Sequence, residues 1–143
     1  MLSLTCKTAV NAVIYLATKF ETGEKIGIRD IAAYLDASEH TVGKMLQTLV
    51  RQEVINSLKG PNGGFFLSAR QMQQPLIRIV NAIDGKNSFT GCGLGLSRCS
   101  AAHPCPIHNE YKQAREIIER IFQTRKVADL RDPVHNGAAY LFG

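Results

Sequence analysis

Three of the chain's four cysteines, Cys92, Cys99 and Cys105, fall within fourteen residues, and His108 follows the last of them by three. Between Cys92 and Cys99 the chain is mostly glycine, leucine and serine, too supple to hold a helix of its own. Such a loop can fold back and aim several sulfurs at one point. Thiolates with an imidazole suit zinc, copper or an iron–sulfur cluster. Structural zinc usually brings two close CxxC-type pairs, and none occurs here, which ranks a cluster above zinc. Metal-free thiol switching and plain burial of small apolar side chains are the other readings of these cysteines. Pro104 discourages a helix before Cys105, and Pro106 suits the first position of one running on through His108 and Tyr111. Cys105 thereby lies at or near a helix N-terminus, where the dipole favours a thiolate, and about one turn from His108, with which it can share a ligand.

A loop of this kind needs helices at both ends. Before it, Pro75 opens and Gly85 closes a helix with Leu76, Ile79, Val80 and Ile83 facing inward. After it, Asn109 to about Thr124 is strongly periodic. Tyr111, Ala114, Ile118 and Ile121, flanked by Ile117 and Phe122, make a stripe wider than one neighbour needs, which points to a symmetry mate. The opposite face carries Lys112, Arg115, Glu116, Glu119 and Arg120. Residues 126–143 contain Pro133 and Gly137 and read as a loose tail, with an apolar end from Ala138 to Phe142 that can dock on the partner. Cys6, far from the loop, is a fourth ligand, a reactive thiol or simple packing, and packing is the commoner fate of a lone cysteine.

The N-terminal half is a run of short helices followed by a hairpin. Thr5 to Phe20 places Val10, Val13, Ile14, Ala17 and Phe20 on one face, and Ile28 to Leu35 does the same with Ile28, Ile31, Ala32 and Leu35. Ser38 is a good N-cap for a third helix reaching about Glu53, with Val42, Met45, Leu46 and Leu49 inside. Two short helices joined by about three residues form a helix-turn-helix. Strands at Val54–Leu58 and Gly64–Ser68 then flank the tip Lys59, Gly60, Pro61, Asn62 and Gly63, a tight turn in the position of a wing. Its lysine, its lack of acids and its open backbone suit contact with phosphates. Entering a major groove N-terminus first, the third helix would offer Ser38, His40, Thr41 and Lys44 to phosphates or base edges, with Glu39 either accepting from cytosine or simply solvated.

Composition agrees with this reading. At 45% hydrophobic and 20% charged, the 143 residues are an ordinary globular domain. The net charge of +5 is spread along both halves, which permits nucleic-acid binding without locating it. No apolar run has the length of a membrane span and no signal-peptide layout opens the chain, so a cytoplasmic location is expected, where permanent disulfides are rare. No Ser/His/Asp set, paired carboxylates or phosphate-binding glycine fingerprint is present. That argues against an enzyme and against a small-molecule substrate.

The order of these parts resembles one family: winged-helix transcription factors that include IscR, NsrR and CymR, the Rrf-two family. The likeness runs from about Lys7 to Thr124, and the specific parts are the wing from Lys59 to Phe65, the helix ending Ala82-Ile-Asp-Gly85, and the three cysteines. It implies a homodimer that binds operator DNA and senses iron–sulfur status, nitric oxide or redox state. It implies cluster ligands at Cys92, Cys99 and Cys105, with the histidine of IscR-like members at His108. Six residues separate Cys92 and Cys99, one more than in IscR-like members, and Cys6-Lys7-Thr8 offers no acid where NsrR-like members carry one. The resemblance thus favours ligation by His108, with 2Fe–2S ahead of 4Fe–4S. The expected fold is mainly α with a small β-hairpin: a winged helix-turn-helix over 1–84, a cluster loop over 85–108, a dimerisation helix over 109–125 and a tail over 126–143. A cluster-free thiol regulator of the same fold is the alternative, and a metal-carrying protein the more remote one.

Overall fold

Ser3 sets the first helix in place from two directions. Its hydroxyl accepts the Cys6 backbone N–H at 3.0 Å, and its own N–H and hydroxyl donate to the Asp84 carboxylate at 2.8 and 2.5 Å. The computed structural model describes residues 1–141. Helix α1 (Leu4–Thr18) is buried along Ala9, Ala12, Val13, Leu16 and Ala17, and its alanines let neighbouring helices approach closely. Helix α2 (Ile28–Leu35) ends where Asp36 turns left-handed at φ 50°, a conformation that short polar side chains tolerate. Two residues later Ser38 caps α3 (Glu39–Arg51), which buries Val42, Met45, Leu46 and Leu49 as the periodicity requires.

The hairpin that follows pairs β1 (Asn56–Leu58) with β2 (Gly64–Phe66), in the register Asn56 to Phe66 and Leu58 to Gly64. Its strands are shorter than the apolar runs that flag them. Val54, Ile55 and Leu67 leave the ladder to enter the core, and Ser68 caps a new helix instead. Ile26 bridges β2 as an isolated antiparallel pair, exchanging backbone hydrogen bonds of 3.0 and 2.8 Å with Phe65.

That new helix, α4 (Ala69–Met72), is a single turn held by a reciprocal Ser68–Gln71 capping box, and periodicity over so few residues gives no warning of it. It braces the base of the wing. Gln71 Nε2 donates to the Glu53 carbonyl and Asn56 Oδ1 at 3.1 and 3.0 Å, and Gln74 Nε2 donates to the Val54 carbonyl at 2.8 Å. Helix α5 (Ile77–Asp84) packs on both α1 and α3 and then releases the chain at Gly85 (φ 82°) into the cysteine loop.

Helix α6 (His108–Thr124) carries the chain out of that loop and breaks at Arg125. Beyond it the expected loose tail is corrected: Val127–His135 forms α7, packed along α1. Val127 is fully buried in the main core, with Leu130 against it. Asp129 Oδ2 accepts the Lys126 N–H at 2.9 Å, and Arg131 pairs with Glu21 at 2.8 Å. Pro133 is accommodated only six residues into the helix, which ends shortly after. The core of the N-terminal half is therefore completed by the C-terminal segment, with Val127, Ala128 and Leu130 packed into it. Of the apolar end assigned to the tail, Tyr140 is exposed and Phe142 lies outside the described residues.

Candidate functional site

The cysteine loop lies against α6 because two close contacts hold it there. A Cβ on Gly93 would stand 2.6 Å from the Tyr111 ring, so only glycine allows the backbone to pass over that ring. Phe89 packs on Phe122 with centroids 5.6 Å apart and shares a small apolar cluster with Val80 and Cys6. At the far end, the His108 N–H donates to the Cys105 carbonyl at 3.0 Å, forming the turn that leads into α6. Cys105 is buried just ahead of the helix, which opens at His108, two residues beyond the Pro106 expected to be its first, with Pro106 and Ile107 in the turn.

Within this frame the four candidate ligands fall into two neighbouring pairs. Cys99 Sγ lies 3.5 Å from His108 Nδ1, and Cys105 is near enough to Cys92 to help lower its pKa. Among the described residues no three His, Cys, Asp or Glu side chains gather around one point closely enough for a single metal ion. This differs from the expectation of one point of convergence and from the expected Cys105–His108 partnership. A residue at a helix start projects back over the preceding loop, and for His108 that loop presents Cys99. The Leu94 and Leu96 backbone N–H groups, followed by the Cys105 thiol and the Gly95 N–H, lower the pKa of the Cys92 thiol. The Leu94 contact measures 3.4 Å. Cys6 is excluded from both pairs. It is fully buried beside Val80 and Phe89, and burial, then the Asp84 carboxylate, pushes its pKa up to about 12.

Arg115 is the residue that sequence reasoning misplaced, by assigning it to the solvated face of α6. It is 9% exposed, and its Nη1 donates to the Gly91 carbonyl at 2.5 Å and to Cys99 Sγ at 3.4 Å. Its spacing of seven from His108 was the available signal, because two turns of helix put both on one face.

The second candidate site is the exposed rim of α3 and the hairpin tip. His40, Thr41 and Lys44 are exposed, and together with Thr5, Thr48 and Ile83 they border a shallow cleft. Ser38 is committed locally: its hydroxyl accepts the Thr41 N–H at 3.1 Å and donates to Thr41 Oγ1 at 2.9 Å. Glu39 pairs with Arg29 across the turn at 3.8 Å, both side chains well exposed. At the tip, Lys59, Gly60, Pro61 and Asn62 are exposed, and the Gly63 N–H closes the turn on the Gly60 carbonyl at 3.0 Å. Gly63 and Gly64 are obligatory, because a Cβ on the first would strike the Leu58 carbonyl and one on the second would stand 2.8 Å from the Ile26 backbone.

A family model described as Rrf2, iron-dependent transcriptional regulator, matches residues 2–133. The chain belongs to the Rrf2 family. Rrf2 members are DNA-binding transcriptional regulators, not enzymes, and that holds for this chain. It is 27% identical over 123 residues to the regulator NsrR of Geobacillus kaustophilus, covering 85% of this chain and 83% of that one. To the regulator IscR of Cronobacter sakazakii it is 22% identical over 139 residues, covering 91% and 85%. The solved structure of CymR, the global cysteine regulator of B. subtilis, superposes with a TM-score of 0.70 at 16% identity, over 92% of this chain and 95% of that one. The mainly helical Rrf2 fold with its hairpin wing is the one expected from the residues. Among the described residues no helix is long and apolar enough to cross a membrane.

Proposed function

We propose that this Rrf2 regulator is a homodimer whose affinity for operator DNA is set by an iron–sulfur cluster held by Cys92, Cys99, Cys105 and His108. The observation that carries the reading is the Cys99–His108 contact at the junction of loop and helix, with Cys92 and Cys105 neighbours on the same loop. A 2Fe–2S centre is ligated pairwise, two protein donors to each iron, and it accepts histidine in place of cysteine. Cys99 with His108 and Cys92 with Cys105 would supply those two pairs, and 2Fe–2S is favoured over 4Fe–4S accordingly. Bound there, the group would supply one-electron redox chemistry and sensitivity to oxidants and nitric oxide.

The protein's own part is to convert the order of the loop into the position of α3. The loop leaves α5, which packs on α3, and enters α6, whose exposed Ile117 and Ile121 suit a second copy. Asp84, the last residue of α5, is tied to Ser3 at the start of α1. Ordering the loop thus fixes α5 and α6 relative to each other, and with them the spacing of the two recognition helices. A switch of about 100-fold in affinity needs about 2.7 kcal/mol of difference between the two dimer geometries. On the DNA side, His40, Thr41 and Lys44 would reach the major groove and Lys59 with Gly60, Pro61, Asn62 and Gly63 the adjacent backbone or minor groove. Ser38 would hold the helix start and Glu39 would orient Arg29.

A thiol-based switch of the same fold is the second reading, favoured by the lowered pKa of Cys92 beside Cys105. Anaerobically purified protein, with iron and sulfide counted and the visible spectrum recorded, separates the two. Brown protein that binds a genomic fragment differently at matched salt before and after removal of the cluster supports the sensor. Colourless, iron-free protein whose binding responds to a thiol oxidant supports the switch instead. Equal affinity in the loaded and stripped protein would sink the cluster reading.

A further inference from the structure

The Arg115 guanidinium is buried in the least favourable way a charge can be. An interior charge is costly unless an opposite charge meets it. Among the described residues no carboxylate forms an ion pair with it. Its neighbours are the Gly91 carbonyl and the sulfur of Cys99, and its Nε is buried without a hydrogen-bond partner. The glutamates next along α6, Glu116 and Glu119, pair with Lys112 and Gln123 instead. A neutral thiol is a poor match for such a donor, whereas an anionic sulfur bound to iron is a good one.

We infer that Arg115 is a positioning residue of the cluster site, one that pins the loop to α6 through Gly91 and raises the cluster's reduction potential through its hydrogen bond to Cys99. The inference rests on the cluster reading proposed above. Reduction adds one electron to the iron, with no bond made and no proton required, and so makes the site more negative by one charge. A fixed positive charge donating to a ligand sulfur stabilises that reduced form more than the oxidised one, and hydrogen bonds to cluster sulfurs act in the same direction. Both hydrogen bonds leave the planar Nη1, and lysine at this position keeps the charge but on a flexible stem that holds the two acceptors less rigidly. Glutamine keeps a donor without the charge, and methionine keeps only the length.

The test is an anaerobic potentiometric titration of the full-length loaded protein with dithionite, followed by visible absorption. Wild type, Arg115→Lys, Arg115→Gln and Arg115→Met are compared at one pH. Arg115→Met and Arg115→Gln are expected to cut the reduced-to-oxidised ratio at a given potential by at least tenfold, a shift of about 59 mV to the negative for one electron. Arg115→Lys is expected to recover most of that shift while losing iron to a chelator several-fold faster than wild type. A wild-type potential in the glutamine or methionine variant overturns the assignment, because a purely structural role leaves no reason for the charge-bearing variant alone to restore it. Should the methionine variant fail to keep its cluster, the glutamine and lysine pair carries the comparison. Wild-type protein without iron and sulfide would overturn the cluster reading itself, an outcome distinct from a loaded wild type whose variants do not differ from it.

Discussion

Cys6 and Cys92 carry the same thiol, and their surroundings move it in opposite directions. Around Cys6 the packing of α1 against Val80 and Phe89 excludes water, and the nearby Asp84 carboxylate opposes a second negative charge; together they push its pKa from 9.0 to about 12. Around Cys92 the loop turns its own N–H groups toward the sulfur and favours the thiolate. Alkylation of stripped, folded protein with iodoacetamide at pH 8, read by peptide mass, is expected to label Cys92 at least tenfold faster than Cys6. Comparable rates would contradict the packing seen here. The raised pKa also has a consequence for stability. Because the folded state holds the Cys6 proton more tightly than the unfolded chain does, this contribution is complete below about pH 9 and is lost as pH rises toward about 12. Urea melts of Cys6→Ala should therefore show a shallower loss of stability above pH 9 than those of wild type.

At the scale of the element, two segments depend on single side chains. Gly93 lets the loop cross the face of Tyr111, and Gly93→Ala is expected to release iron several-fold faster while leaving the thermal midpoint of the helical core within a few degrees of wild type. Val127 anchors α7 in the core, and Val127→Ala should cost about 2 kcal/mol in urea denaturation, the order expected for removing two buried methyl groups with partial collapse of the cavity. Of the two segments, only the loop was legible in the sequence. Its cysteines and glycines marked where it lies, though not which side chains meet; the Ser38 cap, the α3 stripe and the Gly60–Gly63 tip are local signals too, and each of these three appears in the structure where the residues put it. Helix α7 was hidden because Pro133 and Gly137 read as breakers, while the burial of Val127 depends on α1, more than a hundred residues away. The pairing of Cys99 with His108, rather than Cys105 with His108, was hidden for a related reason. Sequence spacing ranks partners along the chain, but the fold of a supple loop decides which sulfur meets the helix.

On the scale of the whole molecule, the proposal needs two copies and one double helix of DNA. Ile117 and Ile121 are 58% and 50% exposed on consecutive turns of α6, beside a cleft lined by Val10, Leu76, Phe122 and Leu130. Replacing both isoleucines with glutamate should leave the fold intact, since surface changes rarely cost more than about 0.5 kcal/mol. It should nevertheless yield a monomer in sedimentation and weaken operator binding by about 100-fold or more, because one half-site loses the effective concentration supplied by the other. A dimeric double variant would remove α6 as the interface. The charge of the binding face gives a separate measure of how many phosphates that dimer touches. Lys44 on α3 and Lys59 on the wing are both exposed and without an ion-pair partner among the described residues. If each contacts one phosphate per subunit, Lys59→Ala removes two contacts from the dimer. The slope of log affinity against log salt should then become shallower by about 1.8, at about 0.9 per phosphate on duplex DNA. Lys44→Ala should do the same if it meets the backbone, but would change sequence preference with less effect on the slope if it reads a base edge. Slopes unchanged in both variants, with sequence preference also unchanged in Lys44→Ala, would mean that neither the wing tip nor the start of α3 faces the DNA, and the interface would have to lie elsewhere on the dimer.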